Sequence, residues 1–144
     1  MKKNMLDNLD YRRELILEHY ENPNNKIEVK KIEGYKKANI SSNSCIDNIT
    51  AFVKTKSNKI IDIKFNGLGC AIATSSTDIM ANQLKGMDVK KAKNYINSYL
   101  DMIDGKSIKK DKFNELIIFE NVNRQMNRIK CAKIGIEAIK KAIE

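Results

Sequence analysis

Apolar and polar residues alternate in the first half of the chain in a pattern typical of β-strands. The alternation over Ile49–Thr55 predicts a strand with one buried face, and Ile60–Phe65 repeats the pattern with β-branched residues. The polar stretch Lys56–Lys59 between them predicts the turn of a hairpin. A looser alternation over residues 26–40 predicts a short edge strand followed by a loop, and the polar run Ser41–Ser44 predicts a turn before the hairpin.

Other segments carry apolar residues three and four positions apart, which predicts helices. In chain order they are Asp7–Tyr20, Ala71–Leu84, Val89–Met102 and Arg128–Ile143. The first helix is expected to bury an apolar stripe made of Leu9, Leu15, Ile16 and Tyr20. Residues 106–127 predict a polar connection, and the apolar patch within it is compatible with helix or strand. This order of elements predicts an α+β fold, with a small antiparallel sheet of about three strands packed against helices.

The length and composition indicate one domain over residues 1–144. No apolar run is long enough to span a bilayer, so no membrane partner is expected. The N-terminus lacks the apolar segment of a signal peptide, and we therefore expect the protein in the cytoplasm. Lys and Arg number 27 against 18 Asp and Glu, which gives a net charge of +9. Because the lysines are spread along the chain without RNA-binding motifs, the charge is compatible with an ordinary Lys-, Asn- and Ile-rich composition on solvated faces; as a functional signal, it favours an acidic protein partner over nucleic acid.

The segment Phe65–Ala73 links the hairpin to the second predicted helix and carries a first chemical signal. Gly67 and Gly69 are expected to form the turn, and Cys70 stands where the helix begins. A thiol at a helix N-terminus faces unpaired backbone N–H groups and the positive end of the helix dipole, which favours the thiolate. The alternative is a small buried cysteine in an ordinary strand–helix turn.

Three cysteines in a reducing compartment favour metal binding or catalysis over disulfides. Cys45 and Asp47 are two residues apart, so in extended chain both side chains point to the same side. Cys70 begins the second helix, and Cys131 is expected in the first turn of the last one. Three thiolates and one carboxylate fit tetrahedral zinc; three unrelated buried cysteines are the alternative, because the sequence contains no Cys-x-x-Cys pair. His19, the only histidine, is expected in packing or on the surface, not as a ligand.

Five short motifs resemble those of one known family and stand in the same order. They are Tyr11-Arg12-Arg13, His19-Tyr20-Glu21-Asn22-Pro23, Cys45-Ile46-Asp47, Phe65-Asn66-Gly67-Leu68-Gly69-Cys70-Ala71-Ile72 and Arg128-Ile129-Lys130-Cys131-Ala132. Together they span nearly the whole chain. The sequence thus resembles the SufU/IscU family, the NifU-like proteins of iron–sulfur cluster biogenesis. This resemblance implies that the expected α+β fold is the SufU/IscU-like single domain.

Within this family the chain looks like the SufU branch. Scaffold-type IscU members carry a histidine just before the third cysteine, where this chain has Lys130. They also carry a Leu-Pro-Pro-Val-Lys motif, which is absent here because Pro23 is the only proline. The long gap between the second and third cysteines is similar to that of SufU members. One departure is Ile46, where the family usually has glycine; because a branched residue resists positive φ, the segment that presents Cys45 is expected to be less mobile.

The resemblance implies a zinc-dependent sulfurtransferase that takes persulfide sulfur from a pyridoxal-phosphate-dependent cysteine desulfurase of the SufS type. The sulfur would pass toward iron–sulfur cluster assembly. The implied zinc ligands are Cys45, Asp47, Cys70 and Cys131. Cys45 is implied to be the sulfur acceptor, freed when a desulfurase histidine replaces it on the zinc. Arg128 precedes Cys131 by three residues, as in the family; it is expected to pair with Asp47 or the departing thiolate, or else to be an exposed arginine at a helix start.

Two other functions are compatible with the same residues. A scaffold would bind a transient [2Fe–2S] cluster through the four ligands, although Lys130 in place of a histidine disfavours it. A purely structural zinc domain would stimulate no desulfurase. The final sulfur acceptor is open as well, between a cluster scaffold and a tRNA-thiolation enzyme.

Overall fold

The fold is described from a computed structural model over residues 5–28, 32–41, 46–106 and 113–144. In chain order, these residues form α1 (Leu9–Glu21), β1 (Lys36–Ser41), β2 (Asn48–Lys56), β3 (Lys59–Leu68), α2 (Ala71–Leu84), α3 (Val89–Ile103), two short 3-10 helices (Glu115–Phe119 and Val122–Arg124) and α4 (Met126–Ile143). An antiparallel sheet followed by helices confirms the predicted α+β class. The helix α2 begins and ends where its sequence pattern predicts.

The strands form one antiparallel sheet in the order β1-β2-β3. Ala51 in the central strand pairs with Ala38 on one side and with Phe65 on the other. Ser57 and Asn58 form the predicted hairpin turn with φ values of 53° and 64°. Two consecutive residues with positive φ form a hairpin turn whose twist matches that of the flanking strands. The hairpin therefore forms as predicted, but β2 buries Phe52 on its second face as well as Ile49, Ala51 and Val53 on the predicted one.

The edge strand lies later in the chain than its sequence pattern suggested. The strand β1 occupies Lys36–Ser41, and its Ala38 is buried against the core. The residues around Ile27 lie at the opposite edge of the sheet instead, where the Ile27 N–H donates to the carbonyl oxygen of Phe65 at 2.8 Å. Ser41 ends β1, so it does not open the predicted turn; residues 42–44 lie outside the described ranges.

The core lies between the sheet and the helices α2, α3 and α4. Tyr99 on α3 is fully buried, and its hydroxyl donates to the carbonyl oxygen of Ala132 on α4 at 2.9 Å. Phe119 packs edge-on against the same ring, at a centroid distance of 6.5 Å. The apolar patch that the sequence left open between helix and strand is the first 3-10 helix. No helix in the described part of the chain combines the length and the apolar character needed to cross a bilayer.

The helix α1 does not bury the stripe expected from the sequence. Leu9 is 62% exposed and Tyr20 is 44% exposed, whereas the two middle residues of the stripe are only partly buried. Arg12 and His19 are buried in their place. Both cations pair with carboxylates of other elements, which offsets the cost of removing them from water. The expectation that His19 packs is therefore correct, and a surface position for it is wrong.

The helix α4 begins at Met126, two residues before the predicted start. Cys131 consequently lies in the second helical turn, and its expected position in the first turn is wrong. Its thiol therefore does not face the free N–H groups of a helix N-terminus. The apolar face of α4 that carries Ile136 and Ile139 is buried, as the sequence pattern predicts.

Candidate metal centre

Three chemically distinctive residues from distant parts of the chain meet at one end of the sheet. A carboxylate oxygen of Asp47 and the thiols of Cys70 and Cys131 all lie within 4.8 Å of one another. Asp47 immediately precedes β2, Cys70 caps α2, and Cys131 lies in α4. The fold thus brings together three of the four predicted ligands. The fourth, Cys45, lies outside the described residues.

Asp47 uses its two carboxylate oxygens differently. It is only 2% exposed, and its Oδ1 accepts a hydrogen bond from the backbone N–H of Cys70 at 3.1 Å. Its Oδ2 is buried and has no hydrogen-bond partner among the residues that the structure describes. A buried carboxylate oxygen without a partner is costly unless a cation or a proton satisfies it. This free oxygen beside two thiols fits a metal ion of the zinc class, which accepts both sulfur and oxygen ligands.

Cys70 is held by the first turn of α2. It is the N-cap residue, and its Sγ accepts a hydrogen bond from the Ala73 N–H at 3.5 Å. The turn before it is shorter than expected, because β3 continues through Gly67 to Leu68. Gly67 pairs with Ile49 with φ at +121°, and a side chain there would run into the carbonyl oxygen of the adjacent strand. The prediction that both glycines form the turn is therefore wrong: Gly67 lets β2 approach, and only Gly69 lies in the turn.

The surroundings of Cys131 disfavour its thiolate form. Burial, followed by the neighbouring Cys70 and Asp47, raises the pKa of the Cys131 thiol to about 12. A thiol in this setting is protonated at neutral pH in the absence of a cation. Metal coordination would reverse this preference for the protonated form, because a thiol bound to a metal ion loses its proton. The charge arrangement thus suits a bound cation better than a free nucleophile at this position.

The floor of the centre is apolar. Ile49, Phe65, Ala73 and Ile134 form a separate small cluster, and Cys70 and Cys131 pack against it. This cluster keeps water from the inner side of the two thiols. On the outer side, Ile46 is 79% exposed and Leu68 is 66% exposed.

Arg128 and His19 lie in different surroundings. Arg128 is exposed and lines a shallow groove with Arg13 and Ile72; within the described ranges no ion pair joins it to Asp47. Its role in catalysis stays a prediction. His19 is not part of the cluster of Asp47, Cys70 and Cys131; its Nδ1 donates to Asp78 Oδ2 at 2.6 Å.

Asp78 was not predicted to be a buried ionic partner of His19. It is fully buried in α2, and its Oδ1 also accepts the Asn25 N–H at 2.8 Å. One signal was available: Asp78 is the only charged residue between Ala71 and Leu84. A lone charge in an otherwise uncharged helix indicates a buried ionic partner.

Comparisons with known proteins agree with this arrangement. The family model described as the NifU-like N terminal domain matches residues 11–144. The zinc-dependent sulfurtransferase SufU of Bacillus subtilis is 29% identical over 132 residues, which cover 91% of this chain and 88% of the relative. The iron–sulfur cluster assembly scaffold protein IscU of Streptococcus pyogenes is 29% identical over 114 residues, 78% of this chain and 72% of the relative.

Solved structures share the fold. A crystal structure of a protein named FiSufU, described as an iron–sulfur cluster assembly scaffold protein for the SUF system, from Fervidobacterium islandicum, superposes with a TM-score of 0.78 at 26% identity. The alignment covers 91% of this chain and 95% of that one. The N-terminal part of a NifU-like protein from Brucella abortus has a TM-score of 0.76 at 17% identity, covering 99% of this chain and 95% of that one. At that identity the second likeness concerns the fold alone.

Proposed function

Since the chain belongs to the NifU-like N-terminal domain family, we propose that it is a zinc-dependent sulfurtransferase of iron–sulfur cluster assembly. It works in the cytoplasm with a pyridoxal-phosphate-dependent cysteine desulfurase of the SufS type. The observation that carries the proposal is the cluster of Asp47, Cys70 and Cys131, in which the buried Oδ2 of Asp47 has no hydrogen-bond partner among the described residues. The similarity to a zinc-dependent sulfurtransferase over 91% of the chain supports it.

The ligands of the zinc are Cys45, Asp47, Cys70 and Cys131. Bound zinc keeps cysteine ligands in the thiolate form at neutral pH, charged yet protected from oxidation. Asp47 holds the segment before β2 against the start of α2 through its bond to the Cys70 N–H. Two of the thiols are fixed by helices, since Cys70 caps α2 and Cys131 lies within α4. The third belongs to the connection between β1 and β2.

Cys45 is the sulfur acceptor. Its thiolate attacks the outer sulfur of the persulfide on the desulfurase, a new S–S bond forms on Cys45, and the desulfurase cysteine leaves as a thiolate. The outer sulfur moves with its proton, so the step needs no external oxidant or reductant. Cys70 and Cys131 are poor candidates for this role, because displacing either one would disrupt a helix and the apolar floor beneath it. Arg128 is exposed one turn before Cys131. Its guanidinium offers a positive charge to the Cys45 thiolate as that thiolate leaves the zinc, or to Asp47.

The desulfurase is the partner that the surface charge favours. The chain carries a net charge of +9, and complementary charge accelerates the association of two proteins. An acidic docking face on the desulfurase is therefore expected. Downstream, the sulfur passes to a cluster scaffold or to a tRNA-thiolation enzyme.

A cluster scaffold is the second candidate. Two observations favour it: the similarity to the IscU scaffold of Streptococcus pyogenes, and the scaffold description of the Fervidobacterium structure. A [2Fe–2S] cluster would then be carried by the same four residues. Lys130 disfavours this function, because scaffold-type members have a histidine at that position. Purification without oxygen, followed by a visible absorption spectrum, separates the two candidates: a coloured chain indicates the scaffold.

The test of the sulfurtransferase proposal is a desulfurase assay with and without the protein, with zinc measured on the same sample. Wild-type protein should stimulate the desulfurase, and Cys45→Ser should remove the stimulation while the chain stays folded. A structural zinc domain would produce no stimulation at all.

Peptide mass spectrometry identifies the acceptor. After incubation with desulfurase and cysteine, an added mass of about 32 Da, one sulfur atom, should appear on Cys45 of the wild type. It should be absent from Cys45→Ser, and Cys70→Ser and Cys131→Ser serve as matched controls. The extra mass on Cys70 or Cys131 of the wild type, with Cys45 unmodified, would overturn the assignment.

A further inference from the structure

The helices that carry Cys70 and Cys131 touch at a glycine. A β-carbon built on Gly135 of α4 would lie 2.7 Å from the Cβ of Thr77 on α2 and 2.9 Å from its Cγ2. Real β-carbons do not come closer than 3.0 Å, and ordinary contact begins at 3.4 Å. Thr77 is fully buried and Gly135 is buried as well. The two helices therefore approach each other to a separation that only glycine permits at this position.

This contact is linked to both thiols by short stretches of helix. Gly135 follows Cys131 by four residues, so the two lie on the same side of α4, one turn apart. On α2, the Thr77 hydroxyl donates to the carbonyl oxygen of Ala73 at 2.6 Å. The N–H of Ala73 donates in turn to the Sγ of Cys70. A displacement at Gly135 therefore moves the Cys131 thiol through α4. The hydrogen bonds from Thr77 to Ala73 and from Ala73 to Cys70 connect the same contact to the Cys70 thiol.

We propose that Gly135 is a positioning residue for the metal centre: it sets the separation of α2 and α4 that brings the Cys70 and Cys131 thiolates within reach of one zinc ion. This inference rests on the proposed zinc site. Two thiolates on a tetrahedral zinc, with Zn–S bonds of about 2.3 Å, lie about 3.8 Å apart. The ligand atoms here lie within 4.8 Å of one another, so the helices must stay close for both thiols to bind.

An added methyl group at Gly135 cannot be accommodated by a side-chain rotation. The nearest carbon is the Cβ of Thr77, which is fixed to the α2 backbone and cannot turn away. To widen the contact from 2.7 Å to an ordinary 3.4 Å, one helix must move. The helix α4 is also held on its other side, where Tyr99 bonds to Ala132 next to Cys131. The displacement therefore acts on the segment that carries the thiol.

The substitution Gly135→Ala tests this inference through metal affinity. Zinc affinity is measured by competition with a chromophoric chelator, and the absorption spectrum of the cobalt-substituted protein reports the geometry at the metal. Gly135→Ala should raise the zinc Kd by about 10- to 100-fold, the range found for residues that orient metal ligands, and should alter the cobalt spectrum. If Gly135 did not contact Thr77, the substitution would be expected to stabilise α4, because alanine has a higher helix propensity than glycine.

Two further variants separate positioning from general damage. Glu137→Ala changes an exposed residue of the same helix and should leave the zinc Kd unchanged. Gly135→Ala combined with Thr77→Gly moves the glycine from one helix to the other, which restores the space, and should return the zinc Kd to within about threefold of wild type. This double variant also serves as the test if Gly135→Ala alone folds poorly.

The outcomes distinguish this inference from the proposed function. A folded Gly135→Ala with the wild-type zinc Kd and cobalt spectrum would overturn the positioning role and leave the zinc site intact. A double variant that binds zinc more weakly than Thr77→Gly alone would also overturn it, because Gly135→Ala should cost nothing once the Thr77 side chain is removed. A wild-type protein that binds no zinc would instead refute the proposed function itself.

Discussion

At the scale of single residues, Asp47 connects the fold to the chemistry of the site. Its Oδ1 accepts the backbone N–H of Cys70, which orients the carboxylate, and one of its carboxylate oxygens lies within 4.8 Å of both thiols. The same residue thus joins the segment before β2 to the start of α2 and is the single oxygen ligand of the proposed zinc site. Asp47→Ala removes both the hydrogen bond to Cys70 and the carboxylate, whereas Asp47→Asn keeps the shape of the side chain and one acceptor oxygen.

Asp47→Ala should therefore retain some zinc, since three thiolates remain, but with lower affinity and slow sulfur transfer. Asp47→Asn should fall between this variant and the wild type, because its amide oxygen can still accept the Cys70 N–H. Loss of a metal-orienting group typically costs about 10- to 100-fold in affinity. Zinc Kd values and single-turnover transfer rates check this; wild-type transfer by Asp47→Ala would show that the carboxylate is a bystander.

At the scale of elements, α1 is held to α2 by charge as well as by apolar contact. His19 Nδ1 donates to Asp78 Oδ2, and its Nε2 lies 3.8 Å from Glu115. Chiefly through the bond to Asp78, and against the effect of burial, these carboxylates raise the pKa of His19 from 6.5 to about 9. The imidazole is therefore charged in the folded protein at neutral pH and neutral in most unfolded chains.

This pKa shift predicts how stability depends on pH. Because the folded pKa is the higher one, the contribution of His19 is complete below pH 6.5, declines as the pH rises, and is lost above about 9. The shift corresponds to about 3 kcal/mol at most. His19→Gln should lower the free energy of unfolding by up to that amount at pH 6 and by little at pH 9.5.

Urea denaturation of the zinc-loaded wild type and of His19→Gln at a series of pH values measures this difference. Because both proteins contain the same cysteines, titration of the thiols cancels when the two are subtracted. A difference between the two proteins that does not vary from pH 6 to pH 9.5 would contradict the prediction.

At the scale of the whole molecule, the metal centre joins elements that are far apart in sequence. Asp47 precedes β2, Cys70 begins α2, and Cys131 belongs to α4. A cation bound to all three ties the sheet to both helices. Structural zinc sites contribute apparent binding free energies on the order of 10 kcal/mol at neutral pH, comparable with the whole stability of a small domain.

Removal of zinc by a chelator should therefore lower the melting temperature by many degrees. Differential scanning calorimetry before and after dialysis against the chelator, with metal analysis of both samples, is the measurement. Re-addition of zinc should restore the original melting curve. An unchanged curve in a sample shown to be free of metal would refute the stabilising role.

Local patterns in the sequence were sufficient for most of the elements. The hairpin, the bounds of α2 and the antiparallel sheet were all predicted, because alternation, turn residues and helical spacing act over a few neighbouring residues. The ligand set was predicted differently: spacing alone left zinc and unrelated cysteines open, and the resemblance of the motifs around Cys45, Cys70 and Cys131 to a known family favoured zinc.

Other features depended on contacts between residues far apart in the chain. Whether α1 buries Leu9 or His19 depends on the carboxylates that meet it from α2 and from the first 3-10 helix. The free oxygen of Asp47 and the need for glycine at position 135 become visible only when the neighbouring atoms are known. Hydrophobic periodicity records how apolar a position is, but it contains no information on which charge or which backbone will face it. The sequence therefore determined most of the elements and supplied the candidate donor residues, and the tertiary structure decided their partners and separations.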